Sequence, residues 1–292
     1  MSIATDFEIF CTSLRMSDKT VSDIQQRYHT ITRRINIDFW GSTSDVNHSF
    51  YVGSYGRGTE IFLSDIDMVV VLPSKYYDQY DSYLYNGQSA LLQAVKKSIQ
   101  TTYPSTTMRG DGQVVVVSFS DGVRFEIVPA FEFTDGTFAY PDTNNGGSWR
   151  TMDPKAEISA FNEMNKTCNK NLKRLCRMAR AWNAQHNVQM KGFLIDTLAY
   201  KFLSSYKYRD KSYVYYDWMS RDFMQYLYDN ADQAYWSAPG SGWHVTKNCT
   251  FKYDALIGVD NCKKAIEYEE KKMPASQHKA WREHYGTKFP IA

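Results

Sequence analysis

Gly53 to Leu72 reads GSYGRGTEIFLSDIDMVVVL, a glycine-rich turn followed by two acids at the head of an apolar run. Asp65 and Asp67 lie two apart at the start of an apolar run, Ile66 to Leu72, that Pro73 closes. Strand periodicity puts both carboxylates on one face, with Ile66 and Met68 on the other. Two hard oxygen donors on one face suit Mg²⁺, which takes one or two carboxylates plus substrate phosphates. Upstream, Gly53, Gly56 and Gly58 follow Phe50, Tyr51 and Val52. Glycines at this density let backbone N–H groups approach a ligand closely, as in phosphate cradles. A solvated turn alone would not explain why two acids open a strand that otherwise reads as fully buried.

A third carboxylate comes from the next strand pair. Val114 to Phe119 and Val123 to Val128 flank Ser120-Asp121-Gly122, a hairpin signal. Glu126 stands between Phe125 and Ile127, so it points away from them, and an acid in so apolar a run calls for a cation. Glu132 is the rival, but it lies beyond Pro129, where the strand should end. Asp65, Asp67 and Glu126 are therefore assigned as catalytic, metal-holding carboxylates. Two Mg²⁺ ions, or Mn²⁺ in their place, would clamp an in-line displacement at an α-phosphate, which is nucleotidyl transfer.

The first 40 residues show helical spacing, with Ile24, Tyr28, Ile31 and Ile35 as one face. Tyr140 to Arg150, YPDTNNGGSWR, reads as a turn-rich boundary, and Asp153-Pro154 as a helix start. Helices are predicted at about 154–186, 192–205, 217–230, 254–271 and 275–284. Strands first and helices later indicate an α+β chain with a helical second lobe.

Composition excludes several classes. The chain has 292 residues, 43% hydrophobic and 23% charged, which rules out a disordered or fibrous chain. Its longest apolar run in the first half, Met68 to Leu72, is far short of the roughly 20 residues of a membrane span. MSIATDFEIF lacks a basic segment followed by an apolar one, so a cytoplasmic protein is expected. Five scattered cysteines form no C-x-x-C pair and read as reduced thiols. Six histidines give no metalloprotease spacing; His244 with Cys249 and Cys262 makes only a loose zinc-like set.

Net charge is +2, which by itself announces no polyanion binder. Yet Met164 to Ile195 holds seven Lys or Arg and no acid, leaving a net −5 for the rest of the chain. Lys166, Lys170, Lys173, Arg177 and Arg180 recur at helical spacing, opposite an apolar face of Cys168, Leu172, Leu175, Ala179 and Trp182. A solvated face would normally mix signs, so the stripe suits a polyphosphate.

Gly53-Ser54, Asp65-Ile66-Asp67 and Glu126 together resemble the polymerase-β-type nucleotidyltransferase superfamily. With YPDTNNGGSW, RLCRMARAW, GFLIDTLAYKFL, APGS at Ala238 to Ser241 and WREHYGTKFP, nearly the whole chain is similar to the bacterial cGAS/DncV-like nucleotidyltransferases (CD-NTases, SMODS type). Glutamate at the third acidic position departs from the frequent aspartate. The resemblance implies a two-lobed fold with the active site in the cleft: a long N-terminal helix bridging the lobes (1–40), a catalytic core (41–152) and a helical lobe (153–292). It implies ATP or GTP as substrates and a cyclic di- or trinucleotide that activates an antiphage effector. Gly53, Ser54 and Tyr55 would hold donor phosphates. Arg180 takes the place of a triphosphate-binding lysine two residues before a tryptophan, here Trp182, with Arg177 as a further candidate. The resemblance also implies no obligatory nucleic-acid activator, and the FPIA terminus fits conjugation by a ubiquitin-like system. The alternatives are a linear oligoadenylate-forming or protein-AMPylating enzyme, and a catalytically silent nucleotide or RNA sensor whose basic face binds a polyanion.

Overall fold

The computed structural model describes residues 2–61 and 65–292; Met1 and, inside the opening stretch, Phe62 to Ser64 lie outside them. Ser2 accepts from Thr5 N and starts α1 (Ile3–Ser13); Ser17 does the same with Thr20 N and starts α2 (Asp18–Ile35). A second serine cap marks a fresh helix start. The long N-terminal helix expected over 1–40 is therefore two helices, and a π-type turn (Asn36–Trp40) closes the second at Gly41, φ 66°. The chain divides into a helical unit (Met1–Arg15, Arg57–Phe62, Ala156–Ala292) and a sheet unit (Met16–Gly56, Leu63–Lys155), with α1 in the first and α2 in the second.

In the sheet unit, β1 (Ser49–Tyr51) and the short α3 (Gly53–Arg57), whose last residue, Arg57, belongs to the helical unit, precede β2 (Ile66–Val71). Two helices, α4 (Ser74–Asp81) and α5 (Gly87–Thr102), then lead to β3 (Thr107–Asp111), β4 (Val114–Ser118), β5 (Arg124–Glu132), β6 (Phe138–Asp142) and β7 (Ser148–Met152). The sheet runs β1-β2-β5-β4-β3, with β6 on β5 and β7 on β6. Among the described residues only β2 and β5 pair in parallel, which needs the long α4–β4 crossover. Ile66, Met68 and Val70 of β2, Val115 and Val117 of β4, and Phe125 and Ile127 of β5 form one core with Ile24, Ile31 and Ile35 of α2 and Leu91, Val95 and Ile99 of α5. Full burial of each such side chain contributes about 1.5–3 kcal/mol. Period two then leaves Asp67 and Glu126 on the opposite sheet face.

Two expectations for this unit change. β5 continues through Pro129 to Glu132, because Pro129 falls where its flanking neighbour switches from β4, paired up to Ile127, to β6, paired from Phe131. A missing N–H costs no ladder bond on an unpaired flank. Tyr140 to Arg150 is not a boundary: it is the β6–β7 hairpin, closed by a 3₁₀ turn over Asn144–Gly146.

The helical unit adds α6 (Pro154–Thr167), α7 (Asn171–Gln185), α8 (Gly192–Ser205), α9 (Tyr216–Asn230), a two-stranded ribbon of β8 (Tyr235–Ser237) and β9 (His244–Thr246), α10 (Lys252–Glu270) and α11 (Pro274–Tyr285). Leu172, Leu175, Ala179 and Trp182 of α7 pack in a core with Phe7 and Phe10 of α1 and Trp281 and Tyr285 of α11. The helix expected over 154–186 is broken at Asn169 and Lys170, whose φ values are 50° and 65°. Left-handed backbone cannot continue a right-handed helix, and asparagine tolerates it better than most residues. Lys166 thus lies on α6 while Lys170 immediately precedes α7, so the basic stripe is not one helix face. Among the described residues no helix is long and apolar enough to cross a membrane.

Candidate active site

In the sheet unit, parallel pairing sets Asp67 of β2 directly in register with Glu126 of β5. Asp65 precedes β2 and lies 3.7 Å, Oδ1 to Nε, from the Arg124 guanidinium. The same guanidinium hydrogen-bonds Glu126 Oε1 through Nη2. Arg124 and Glu126 are two apart on β5, so both project from the face that Asp67 shares. One cation is therefore lodged between two of the three carboxylates that the sequence singles out. The half-exposed Asp65 keeps this group open to solvent.

Gly53 lies against Asp67. A Cβ at position 53 would be 1.9 Å from Asp67 Oδ2, and the backbone there has φ 59°. Glycine is required on both counts. Val52 N donates to Asp67 O at 2.9 Å, which fixes the entry to α3 beside the carboxylate. The glycine-rich turn is thus one short helical turn, carrying Ser54 and Tyr55; the Tyr55 ring packs on Tyr51 at 4.7 Å.

The donor set is made of carboxylates alone, which suits a hard divalent cation, and Arg124 already shows that the group takes up positive charge. Among the described residues no three His, Cys, Asp or Glu side chains converge as one metal-holding cluster. A shared ion would have to take Arg124's place between Asp65 and Glu126. Glu132, the rival acid, pairs with Lys155 at 2.6 Å instead.

The basic residues of α7 divide into two groups, all within the helical unit. Arg180 Nη2 donates to Asp196 Oδ2 at 2.7 Å, Gly192 O at 3.0 Å and Thr59 Oγ1 at 3.3 Å. Arg57 reaches the same Asp196 oxygen at 3.1 Å, and Thr59 Oγ1 donates to it at 2.7 Å. Arg177 donates to Gly58 O at 2.7 Å and to Glu60 O at 3.0 Å. In this structure both arginines, expected to contact a triphosphate, hold residues 58–60 of the loop that leaves α3. Lys173 and Arg174, with Lys170 just before α7, face a cavity that Arg177 also lines.

Sequence reasoning missed Arg124, Arg57 and Asp196, although each left a signal. Arg124 has the same parity as Glu126. Asp196 interrupts the apolar run GFLIDTLAYKFL, the same anomaly that singled out Glu126. The zinc-like set does not assemble: His244 stacks on Tyr235 at 4.2 Å, whereas Cys262 lies 3.6 Å from His284 Nε2. All five cysteines are free thiols.

Residues 1–165 match the family model for SMODS, the Second Messenger Oligonucleotide or Dinucleotide Synthetase domain. A probable cyclic nucleotide synthase of Bacillus cereus is 21% identical, covering 82% of this chain and 81% of its own. Solved structures share the fold, among them CdnG and CdnC. CdnG of Bradyrhizobium diazoefficiens in complex with GTP has TM-score 0.69 at 10% identity, covering 99% of this chain and 96% of its own. CdnC of Escherichia coli MS115-1 with ATP has TM-score 0.67 at 16% identity, covering 98% of each chain. The family model spans more than half of the sequence, and the chain accordingly belongs to the SMODS family, as a bacterial cGAS/DncV-like nucleotidyltransferase that makes cyclic oligonucleotides.

Proposed function

We propose that this nucleotidyltransferase is Mg²⁺-dependent and joins ATP- or GTP-type nucleotides into a cyclic di- or trinucleotide that signals in antiphage defence. The observation that carries the reading is the shared-register pair Asp67–Glu126, with Arg124 between Glu126 and Asp65 and Gly53 against the Asp67 carboxylate. ATP and GTP as substrates are supported by the nucleotides named with CdnC and CdnG.

Asp65, Asp67 and Glu126 would hold the divalent ions. When bound, such ions lower the pKa of an acceptor hydroxyl and offset triphosphate charge. Gly53, Ser54 and Tyr55 would orient the donor phosphates, because the absence of a Cβ at Gly53 brings α3 against Asp67. Arg177 and Arg180 would support the triphosphate, and in the helical unit they hold Gly58, Thr59 and Glu60 in place.

The test is incubation of the purified chain with the four nucleoside triphosphates and Mg²⁺, with products identified by mass spectrometry. A phosphatase-resistant cyclic product that disappears when the metal is chelated is expected. No phosphodiester product from any nucleotide pair sinks the proposal. Linear, phosphatase-sensitive oligonucleotides or labelled protein would select the linear or AMPylating alternative.

A further inference from the structure

Thr12 and Arg15 of the α1 end, Gly58 of the anchored loop, and Lys170, Lys173, Arg174 and Arg177 around the start of α7 border one cavity of about 420 Å³. Every lining residue belongs to the helical unit, and neither the acidic trio nor Gly53 to Tyr55 is among them. Five of the lining side chains are cationic and none is acidic. The volume falls within the roughly 300–1,000 Å³ of small-molecule sites, and a bordered cavity suits a compact ligand better than a duplex lying across a surface.

The cations differ in how they are held. Arg174 donates to Asn169 O at 3.2 Å and Tyr216 Oη at 3.3 Å, and its guanidinium stacks 4.7 Å over the Tyr213 ring. Lys173 Nζ donates to Asn162 Oδ1 at 2.7 Å. Neither bond cancels charge. Of these cations, only Arg177 meets a carboxylate among the described residues, Glu60 at 3.4 Å. Arg15 and Lys170 are exposed and form no ion pair among the described residues. Partial burial, and next the Arg177 charge, lower the Lys173 pKa against a smaller opposing pull from Glu60. Four of the five cations that face this small volume form no ion pair among the described residues, and hydrogen bonds orient Lys173, Arg174 and Arg177, which together make an anion site that is largely preorganised.

We infer that this cavity is a second ligand site, separate from the acidic trio, that binds a small soluble molecule carrying two or more phosphates. A nucleoside triphosphate and the enzyme's own cyclic product share that chemistry. The site does not depend on metal.

Calorimetric titration of the full chain with inorganic tripolyphosphate, in EDTA and at low salt, tests the inference. Saturable binding that weakens as salt is added is expected. The pair Arg15→Gln and Lys170→Asn should lower affinity at least about tenfold. Both side chains are exposed, and asparagine tolerates the left-handed backbone of position 170, so the thermal midpoint should hold. Asp65→Asn with Asp67→Asn should leave the affinity unchanged, which separates this site from the proposed catalytic one. Parallel titrations with ATP and with a cyclic dinucleotide then tell the two sources apart. Three results overturn the inference: no saturable binding of tripolyphosphate, equal binding by the Arg15/Lys170 variant, or a loss of binding in the Asp65/Asp67 variant.

Discussion

The two units contain opposite versions of one electrostatic arrangement. In the helical unit two guanidiniums, Arg57 and Arg180, converge on the single carboxylate of Asp196; in the sheet unit two carboxylates, Asp65 and Glu126, flank the single guanidinium of Arg124. Burial separates their consequences. The Asp196 side chain is 0% exposed, with Arg57 at 7% and Arg180 at 14%, whereas Asp65 is 50% exposed and Arg124 35%. Charges withdrawn from water cannot part without a large desolvation penalty, so the first group acts as a clasp. Arg124 and Glu126, 35% and 24% exposed, are only partly withdrawn from water and incur a smaller penalty on parting, so the second group can exchange its cation. With Asp67 beside it, the exposed group carries a surplus of negative charge that a divalent ion would offset.

The largest effect should come from removing that surplus. Asp65→Asn together with Asp67→Asn should lower product formation about 10³-fold or more, since charge stabilisation at the reacting phosphate would be lost. The thermal midpoint should move little, because Asp65 is exposed and the core lies on the other face of β2. Retained synthesis would show that the carboxylates do not hold the ions, and an unfolded protein would show that they belong to a clasp like that of Asp196.

Breaking the buried clasp should do the reverse. Asp196→Ala leaves Arg57 and Arg180 buried without their shared partner, at a cost of about 3–5 kcal/mol in stability. Denaturant unfolding measures it. Arg180→Ala should likewise cost stability; a rise in the KM for nucleotide at unchanged stability would instead support the direct triphosphate contact first expected of this residue.

These two groups were legible in the sequence to different degrees. Asp65, Asp67 and Glu126 stand out because strand parity is a local rule and each acid sits in an apolar run. Parity would also have picked out Arg124. The clasp joins positions 57, 180 and 196, and no local spacing relates such distant residues. The same limit explains why Arg177 and Arg180 read as free cations: helical period gives the face on which a side chain stands and says nothing of the carbonyls it meets. The break at Asn169–Lys170 depends on two residues adopting positive φ, which periodicity averages away. Proline ends a strand only where its missing N–H would face a partner, and whether Pro129 does depends on where β4 ends and β6 begins.

A smaller change probes the join between the phosphate turn and the carboxylates. Gly53→Ala adds a methyl 1.9 Å from Asp67 Oδ2 in left-handed backbone. The carboxylate must move or α3 must shift, and a displacement of about 1 Å at a reacting centre costs up to about 10²-fold in rate. Steady-state synthesis should fall by about that factor while the protein stays folded. Undiminished activity would detach Gly53 from the site.

Asp217 provides the control that sharpens the contrast. Like Asp196 it is a buried acid of the helical unit, 5% exposed, in the first turn of α9, but it forms no ion pair among the described residues, and its Oδ1 is buried without a hydrogen-bond partner. Burial raises its pKa from 3.8 to about 6, against the smaller opposing pull of backbone N–H groups at the helix start. The folded state therefore holds the Asp217 proton more tightly than the unfolded chain. Below pH 3.8 both states are neutral at this position and burial carries no charge cost. As pH rises through about 6 the folded protein must bury a carboxylate, and that cost levels off above the window. Asp217→Asn should leave stability nearly unchanged at pH 4 and raise it by about 1–3 kcal/mol at pH 7.5. Urea unfolding at the two pH values measures the difference. An equal gain at both would assign the effect to packing, and a loss at pH 7.5 would mean that the charged carboxylate contributes more to the start of α9 than its burial costs.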